Sequence, residues 1–161
     1  MKQRNAYFVT QAAAIAAIYV VLTLLIDAFN LANGAIQVRI SEALTILPFF
    51  TPAAIPGLFI GCLLSNFVIG APIWDILFGS LATLLGAIGT YLLKKWKWMA
   101  PLPPILSNTL IIPFVLHYAY AFPGGIPFFM VTVGAGEVIS CGILGTLLLF
   151  VLQKYRQIIF R

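Results

Sequence analysis

Six long apolar runs separated by short polar connections make up almost the whole chain, and this repetition constrains the fold more than any other feature. A helix needs about 20 apolar residues to cross the hydrocarbon core of a bilayer. The predicted spans are 8–29, 35–50, 52–70, 73–93, 101–120 and 128–153. The connections are too short for a second domain. We therefore predict an all-α integral membrane protein, with one transmembrane domain of six helices over residues 1–161.

Composition leads to the same expectation. Hydrophobic residues make up 62% of the chain and charged residues only 8%, with a mean hydropathy of +1.07. A soluble domain averages about 25% charged residues, and a surface with so little charge would aggregate in water. Lipid is therefore the expected solvent.

The net charge of +5 is not spread over a polar face. Eight of the nine basic residues fall in three clusters: Lys2/Arg4, Lys94/Lys95/Lys97 and Lys154/Arg156/Arg161. The connections at 27–34, 70–75 and 121–127 contain no Lys or Arg. This asymmetry is typical of cytoplasmic and external loops, not of a nucleic-acid-binding patch. It predicts that both termini are cytoplasmic and that nucleic acid is not a partner.

The segment 37–61 places Arg39 and Glu42 within otherwise apolar sequence. A charge near the bilayer centre costs roughly 2.5–3.5 kcal/mol on insertion scales, so such residues usually face a partner or a polar site. Three positions apart on one helical face, the two could partly neutralise each other. Their sequence leaves open a structural ion pair and a binding site. Pro48, Pro52 and Pro56 predict that one helix ends and another begins near 50–56.

Glu137 lies about ten residues into the sixth span, with no basic residue within a helical turn. The small residues Gly134, Ser140 and Cys141 share its helical face. A buried carboxylate beside missing side-chain volume favours a ligand-binding role over a structural one.

Other candidates carry weaker signals. Asp75 opens a helix, where it either interacts with the helix dipole or lines a site. Asn108 and His117 fall on roughly opposite faces of the fifth span. Under the predicted orientation, most polar residues lie in the outer halves of their spans: Asp27, Arg39, Glu42, Asn66, Trp74, Asp75, His117, Tyr118, Tyr120 and Glu137. This distribution predicts a small-solute site loaded from outside.

Enzymatic patterns do not emerge from the sequence. It contains no catalytic triad, Walker loop, HExxH or CxxC motif, so we expect no ATPase activity of its own. The two cysteines, Cys62 and Cys141, lie in apolar runs, and His117 is the only histidine, so no metal or cofactor is predicted. An intramembrane enzyme using Glu42 and Glu137 as an acid/base pair remains an alternative. A channel is disfavoured because the inner halves are apolar.

Small residues recur at four-residue spacing in the first span, as Ala12/Ala16 and Ala13/Ala17. Such pairs let a second helix approach closely within a membrane. They predict either a docking surface for a partner protein or packing within this chain. The similar pairs Gly57/Gly61 and Ala82/Gly86 are expected to pack internally.

The segment GAIQVRISEALTILPFFTPAAIPGLFIGCLLSN, residues 34–66, resembles the QueT family, and GAPIWDILFGSLATLLGAIGTYL extends the similarity. The resemblance implies a substrate-binding subunit, or S component, of an energy-coupling factor (ECF) transporter. Such a subunit would sit in the plasma membrane of a prokaryote and work with a transmembrane coupling protein and two cytoplasmic ATPases. The implied solute is a queuosine precursor, a 7-deazaguanine base in its aminomethyl or cyano form. Another vitamin-like solute is the alternative.

The resemblance also assigns expected roles. The alanine face Ala12, Ala13, Ala16 and Ala17 would contact the coupling protein, and residues 27–38 would cover the site. Its lining would draw mainly on the last three helices. Glu137 would be the first choice for the base acceptor, with Glu42 or Asp75 as the alternative, and Trp74 or Tyr118 would stack the base. The full set of substrate-binding candidates is Arg39, Glu42, Trp74, Asp75, Asn108, His117, Tyr118 and Glu137.

Overall fold

The computed structural model describes residues 2–28, 39–121 and 123–159, and no strand occurs among them. The α-helices are α1 (Lys2–Ala28), α2 (Ala54–Val68), α3 (Ile73–Leu92), α4 (Leu102–Tyr118), α5 (Ile126–Glu137), α6 (Thr146–Lys154) and α7 (Arg156–Ile159). Two 3₁₀ helices, Ile40–Phe49 and Lys97–Met99, and a π-helical segment, Val138–Gly145, complete the described secondary structure. The predicted all-α class is confirmed.

Within the described ranges, four helical stretches are long and apolar enough to cross a bilayer: Gln3–Ala28, Ile73–Leu92, Lys97–Tyr118 and Ile126–Lys154. They correspond to the first, fourth, fifth and sixth predicted spans. The other two predicted spans form shorter apolar helices, Ile40–Phe49 and Ala54–Val68. Large apolar side chains remain exposed along the long helices, as lipid-facing surfaces require; examples are Val21, Leu85, Leu106 and Val131.

The proline-rich segment separates two helices, as its sequence predicts. The 3₁₀ helix ends at Phe49 and α2 begins at Ala54. At ten residues, this 3₁₀ helix exceeds the usual three or four, and its positions 41–48 are all buried. With a rise of about 2.0 Å per residue, it extends roughly 20 Å, whereas an α-helix of that length extends about 15 Å. The stretched geometry lets a short segment reach the middle of the bundle.

Successive helices pack against one another from α1 to α5, and the long 3₁₀ helix lies against α1, α3 and the π-helical segment. Close approach depends on small residues. A Cβ atom added to Gly57 would lie 2.7 Å from the carbonyl oxygen of Ala12, and one on Gly61 would lie 3.1 Å from Ala16 Cα. The Ala12/Ala16 pair therefore packs internally against Gly57/Gly61.

Small residues also allow close approach at the α3–α4 interface. Ala82 is fully buried, and a Cβ atom on Gly86 would lie 2.7 Å from Pro104 Cα. The expectation that Gly57/Gly61 and Ala82/Gly86 pack internally is confirmed. The cover expected at 27–38 lies outside the described residues, apart from its first two positions.

Candidate functional site

Glu42 and Glu137 are brought together in the interior of the bundle. Glu42 comes from the long 3₁₀ helix, and Glu137 ends α5 where the π-helical segment begins. Their side chains are 2% and 7% exposed, and carboxylate oxygens of both lie within 4.8 Å of each other and of Cys141 Sγ. π-helical turns widen a helix locally and often occur at functional sites. The two carboxylates therefore face one shared position.

Each carboxylate is held by a neutral donor from another helix. Asn108 Nδ2 donates to Glu137 Oε1 at 3.0 Å, and Cys141 Sγ donates to Glu137 Oε2 at 3.1 Å. Tyr19 on α1 donates its hydroxyl to Glu42 Oε1. Glu42 Oε2 is buried and has no hydrogen-bond partner among the described residues. Glu137 is thus engaged at both oxygens, whereas Glu42 keeps one oxygen unpartnered.

Arg39 does not form the ion pair with Glu42 that their spacing suggests. It precedes the 3₁₀ helix in an extended conformation, so the two side chains do not share a helical face. Arg39 Nη2 instead lies 3.5 Å from Asp75 Oδ2, and Tyr120 donates its hydroxyl to the same oxygen at 2.7 Å. Asp75 is 2% exposed and makes no side-chain cap of α3. Its carboxylate joins Arg39 and Tyr120 at one end of the bundle.

A small enclosed space lies between these groups, and its lining is mixed. Polar walls come from Arg39, Glu42, Thr83, Asn108 and Glu137, while Gly79, Ile112 and Val133 provide apolar surface and bare backbone. About 10 Å³ is open to the centre of a water-sized sphere, which is room for about one water. At a rise of about 1.5 Å per residue, Asn108 lies roughly 15 Å along α4 from Tyr118. The space is polar, and a ligand larger than a water enters it only if the walls move apart.

This region holds more acidic than basic side chains. Glu42, Asp75 and Glu137 are all buried, and Arg39 is the only described basic residue that lies among them. Buried charges are normally paired. The arrangement therefore suits a positively charged or donor-rich ligand.

The structure divides the sequence-predicted site residues into two groups. Arg39, Glu42, Asn108 and Glu137 line the enclosed space, and Asp75 contacts Arg39 at its edge. Trp74 and Tyr118 are 55% and 74% exposed and line a separate apolar groove between α3 and α4. His117 Nδ1 lies 3.2 Å from the carbonyl oxygen of Gly124, against the α4–α5 connection.

The four alanines of α1 that were predicted to contact a partner protein differ in exposure. Ala12 and Ala16 are 9% and 6% exposed because they pack against α2. Ala13 and Ala17 are exposed and belong to a shallow apolar groove shared with Pro56, Ile60 and Leu64. All four alanines line this groove, and Ala13 and Ala17 are its exposed pair.

Sequence reasoning missed Tyr19 and Thr83. Tyr19 is 1% exposed and contacts Glu42, and Thr83 lines the enclosed space while donating to Cys62 Sγ at 3.4 Å. A signal for Tyr19 was present: positions 12, 16, 19 and 23 form one helical stripe. Thr23 continues that stripe and donates to Ser41 Oγ at 2.9 Å. Thr83 gave no comparable signal because threonine is common on packed membrane helices.

Cys141 adds a sulfur atom beside the Glu42 and Glu137 carboxyl groups, and sulfur is a possible metal ligand. Glu42, Glu137 and Cys141 could approach a metal ion together. However, both Glu137 oxygens already accept hydrogen bonds, and Cys141 Sγ also lies 3.4 Å from the carbonyl oxygen of Glu42. This pattern of neutral donors on carboxylates favours recognition of an organic donor or cation.

Comparison with known proteins gave two matches. The model of the family described as "QueT transporter" matches residues 9–154, which is most of the chain. The protein named "Queuosine precursor transporter QueT" from Lactococcus lactis subsp. cremoris (strain MG1363) is 35% identical over 99 residues. That alignment covers 60% of this chain and 57% of the relative, so the chain spans less than two thirds of that relative's length. No solved structure matches the chain.

Proposed function

The chain belongs to the QueT transporter family, and on this premise we propose that it is the substrate-binding subunit of an ECF importer for a queuosine precursor. The printed name of the Lactococcus lactis relative supports this class of solute. The observation that carries the proposal is the enclosed polar space, in which two carboxylates face each other inside an otherwise apolar bundle. Transmembrane ionisable residues facing such a space usually mark a substrate pathway.

The hydrogen-bonding groups of the space complement a 7-deazaguanine. The base presents N1–H and an exocyclic amine side by side, and one carboxylate can accept both. Glu137 is the proposed acceptor, because Asn108 and Cys141 fix its orientation and each carboxylate oxygen can accept a second hydrogen bond. Arg39 Nε has no hydrogen-bond partner among the described residues and would donate to the base carbonyl.

The flat faces of the base need apolar surface. Ile112, Val133 and the bare backbone of Gly79 provide it in the lining. Trp74 and Tyr118, the aromatic residues considered for stacking, are exposed at the ends of their helices. Stacking on either would therefore require the bundle to rearrange, so we assign the base to the aliphatic walls.

Loading would begin with the Arg39–Asp75 contact. Arg39 directly follows the 29–38 connection and lies at the edge of the space. Because only about one water fits inside, solute entry must separate the walls, and opening this contact would widen the space at its edge. Breaking a buried ion pair typically costs about 3–5 kcal/mol, which solute binding would have to offset.

Topology and partners complete the proposal. We place six spans in the plasma membrane of a prokaryote with both termini cytoplasmic, following the three basic clusters. The exposed Ala13 and Ala17 would contact the transmembrane coupling protein, which two cytoplasmic ATPases drive. The chain itself would act as a transport subunit and not as an enzyme.

Equilibrium binding to the purified chain tests the proposal. Titration calorimetry in detergent should give saturable binding of 7-aminomethyl- or 7-cyano-7-deazaguanine. An adenine-type base should bind far more weakly, because it offers an acceptor where guanine offers the N1–H donor. Equal affinity for adenine and the deazaguanines would contradict the proposed recognition.

A further inference from the structure

We propose that Glu42 Oε2 receives a positive charge of the ligand, so the site selects a cationic base over a neutral one of the same shape. This inference rests on the proposed function and deepens it. It assigns different roles to the two carboxylates: Glu137 accepts the polar edge of the base, and Glu42 accepts the ammonium group of a side chain. Among queuosine precursors, it favours the aminomethyl form over the cyano form.

The hydrogen-bonding difference between the two glutamates is the first observation. Both oxygens of Glu137 accept hydrogen bonds, from Asn108 and Cys141. Glu42 accepts only at Oε1, from Tyr19, and its buried Oε2 has no partner among the described residues. A carboxylate oxygen left without a donor in a buried site is costly, because its hydration has been removed. Oε2 is therefore the atom most in need of a ligand donor.

The second observation is the position of the basic side chains relative to the enclosed space. Arg39 lines the same space, but its Nη2 is 3.5 Å from Asp75. The other described basic side chains are exposed and lie in the clusters near residues 4, 94–97 and 154–156. None of them lines the space. Pairing Arg39 with Asp75 leaves Glu42 and Glu137 without an ion-pair partner among the described residues, and a ligand cation would supply one.

The surrounding geometry fits a short, rigidly attached ammonium group. Glu42 and Glu137 oxygens lie within 4.8 Å of each other, so both can contact one bound base. With Glu137 at the N1–H edge, Glu42 would approach from the side of the base carbonyl, which the 7-substituent flanks. An ammonium offers up to three donors to the oxygens around it, whereas a nitrile offers only an acceptor. Facing a carboxylate, the nitrile would add repulsion where the ammonium adds a charge-assisted hydrogen bond.

The test compares three 7-substituted deazaguanines on the unmodified protein: aminomethyl, hydroxymethyl and cyano. The hydroxymethyl form matches the aminomethyl form in size but carries no charge. A charge-assisted hydrogen bond predicts that the aminomethyl form binds about 10- to 150-fold more tightly than either neutral form. Equal binding of all three would overturn this inference while leaving the proposed function intact. Binding of none of them would overturn both.

A matched pair of variants locates the effect. In Glu42→Gln, the amide oxygen can still accept from Tyr19 while the charge is lost, so the preference for the aminomethyl form should fall to about 3-fold or less. In Glu137→Gln, all three ligands should weaken by a similar factor, and the preference should persist. Retained preference in Glu42→Gln, or its loss only in Glu137→Gln, would reject the assignment of Glu42. Because the first comparison uses the unmodified chain, the inference remains testable even if a variant fails to fold.

Discussion

Asn108 Nδ2 lies 3.0 Å from Glu137 Oε1, across the interface between α4 and α5 and 29 positions apart in the chain. The contact fixes a buried carboxyl group with a neutral donor from a neighbouring helix. Ionisable groups that face a polar space inside a membrane usually mark a substrate pathway. This contact is the clearest sign that Glu137 is more than a packing residue.

Replacing Glu137 should weaken solute binding. Glu137→Gln keeps the shape of the side chain but exchanges one acceptor oxygen for a donor. Hydrogen bonds to a charged group are worth about 1.5–3 kcal/mol, so affinity for a 7-deazaguanine should fall about 10- to 150-fold. Titration calorimetry measures the change, with the thermal midpoint of the variant as the control for folding. Unchanged affinity would remove Glu137 from the site.

The Tyr19 hydroxyl should stabilise the folded chain through Glu42. Tyr19→Phe leaves Glu42 without its described donor, which should lower the free energy of unfolding by about 1–3 kcal/mol. Tyr7→Phe is the matched control, because the Tyr7 hydroxyl donates to the Ile159 carbonyl oxygen in an exposed position. That control should change stability by less than about 0.5 kcal/mol. Equal effects of the two variants in denaturant titrations would argue against a structural role for the Tyr19–Glu42 contact.

Two alanines one turn apart on α1 should respond differently to enlargement. Ala16 is buried against Gly61, so Ala16→Leu should destabilise the isolated chain by about 1–3 kcal/mol through overpacking. Ala13 is exposed, so Ala13→Leu should leave stability and solute affinity unchanged while blocking co-purification with the coupling protein. A normal complex with Ala13→Leu would reject this face as the docking surface.

Membrane orientation can be tested with two single cysteines. Gly125 lies in the exposed α4–α5 connection, where an added Cβ meets nothing closer than 3.6 Å, and Lys97 lies in the basic α3–α4 connection. Gly125→Cys should react with a membrane-impermeant thiol reagent in intact cells, whereas Lys97→Cys should react only after lysis. Native Cys62 and Cys141 are buried and should not react with the reagent. The reverse labelling pattern would discard the orientation and the externally loaded site with it.

The sequence predicted the helical architecture well because lipid imposes a simple rule. Apolar length and proline position located the helices of the described chain, including the break between Phe49 and Ala54. They did not reveal the ten-residue 3₁₀ helix or the π-helical segment after Glu137. Both depend on how neighbouring helices pack, and local sequence does not encode that packing.

The site was predicted less completely, for a related reason. Buried carboxylates are costly in lipid, so Glu42 and Glu137 stood out from the sequence. Asn108 was also a candidate, but its contact with Glu137 and the contact of Tyr19 with Glu42 were not predicted, because each joins two different helices. The Arg39–Glu42 pairing was wrong because it assumed a helix at Arg39, where the backbone is extended. Exposed aromatics such as Trp74 cannot be distinguished by sequence from aromatics that face a site.

Mass spectrometry of the chain purified from cells that synthesise queuosine precursors provides the most direct test of the proposed function. Released material should contain a 7-deazaguanine base at close to one molecule per chain, with the aminomethyl form predominating. The Glu42→Gln/Glu137→Gln double variant, prepared in parallel, should release little or none. A native chain that carries no base, and that stays empty after incubation with both the aminomethyl and cyano forms, would contradict the proposed function.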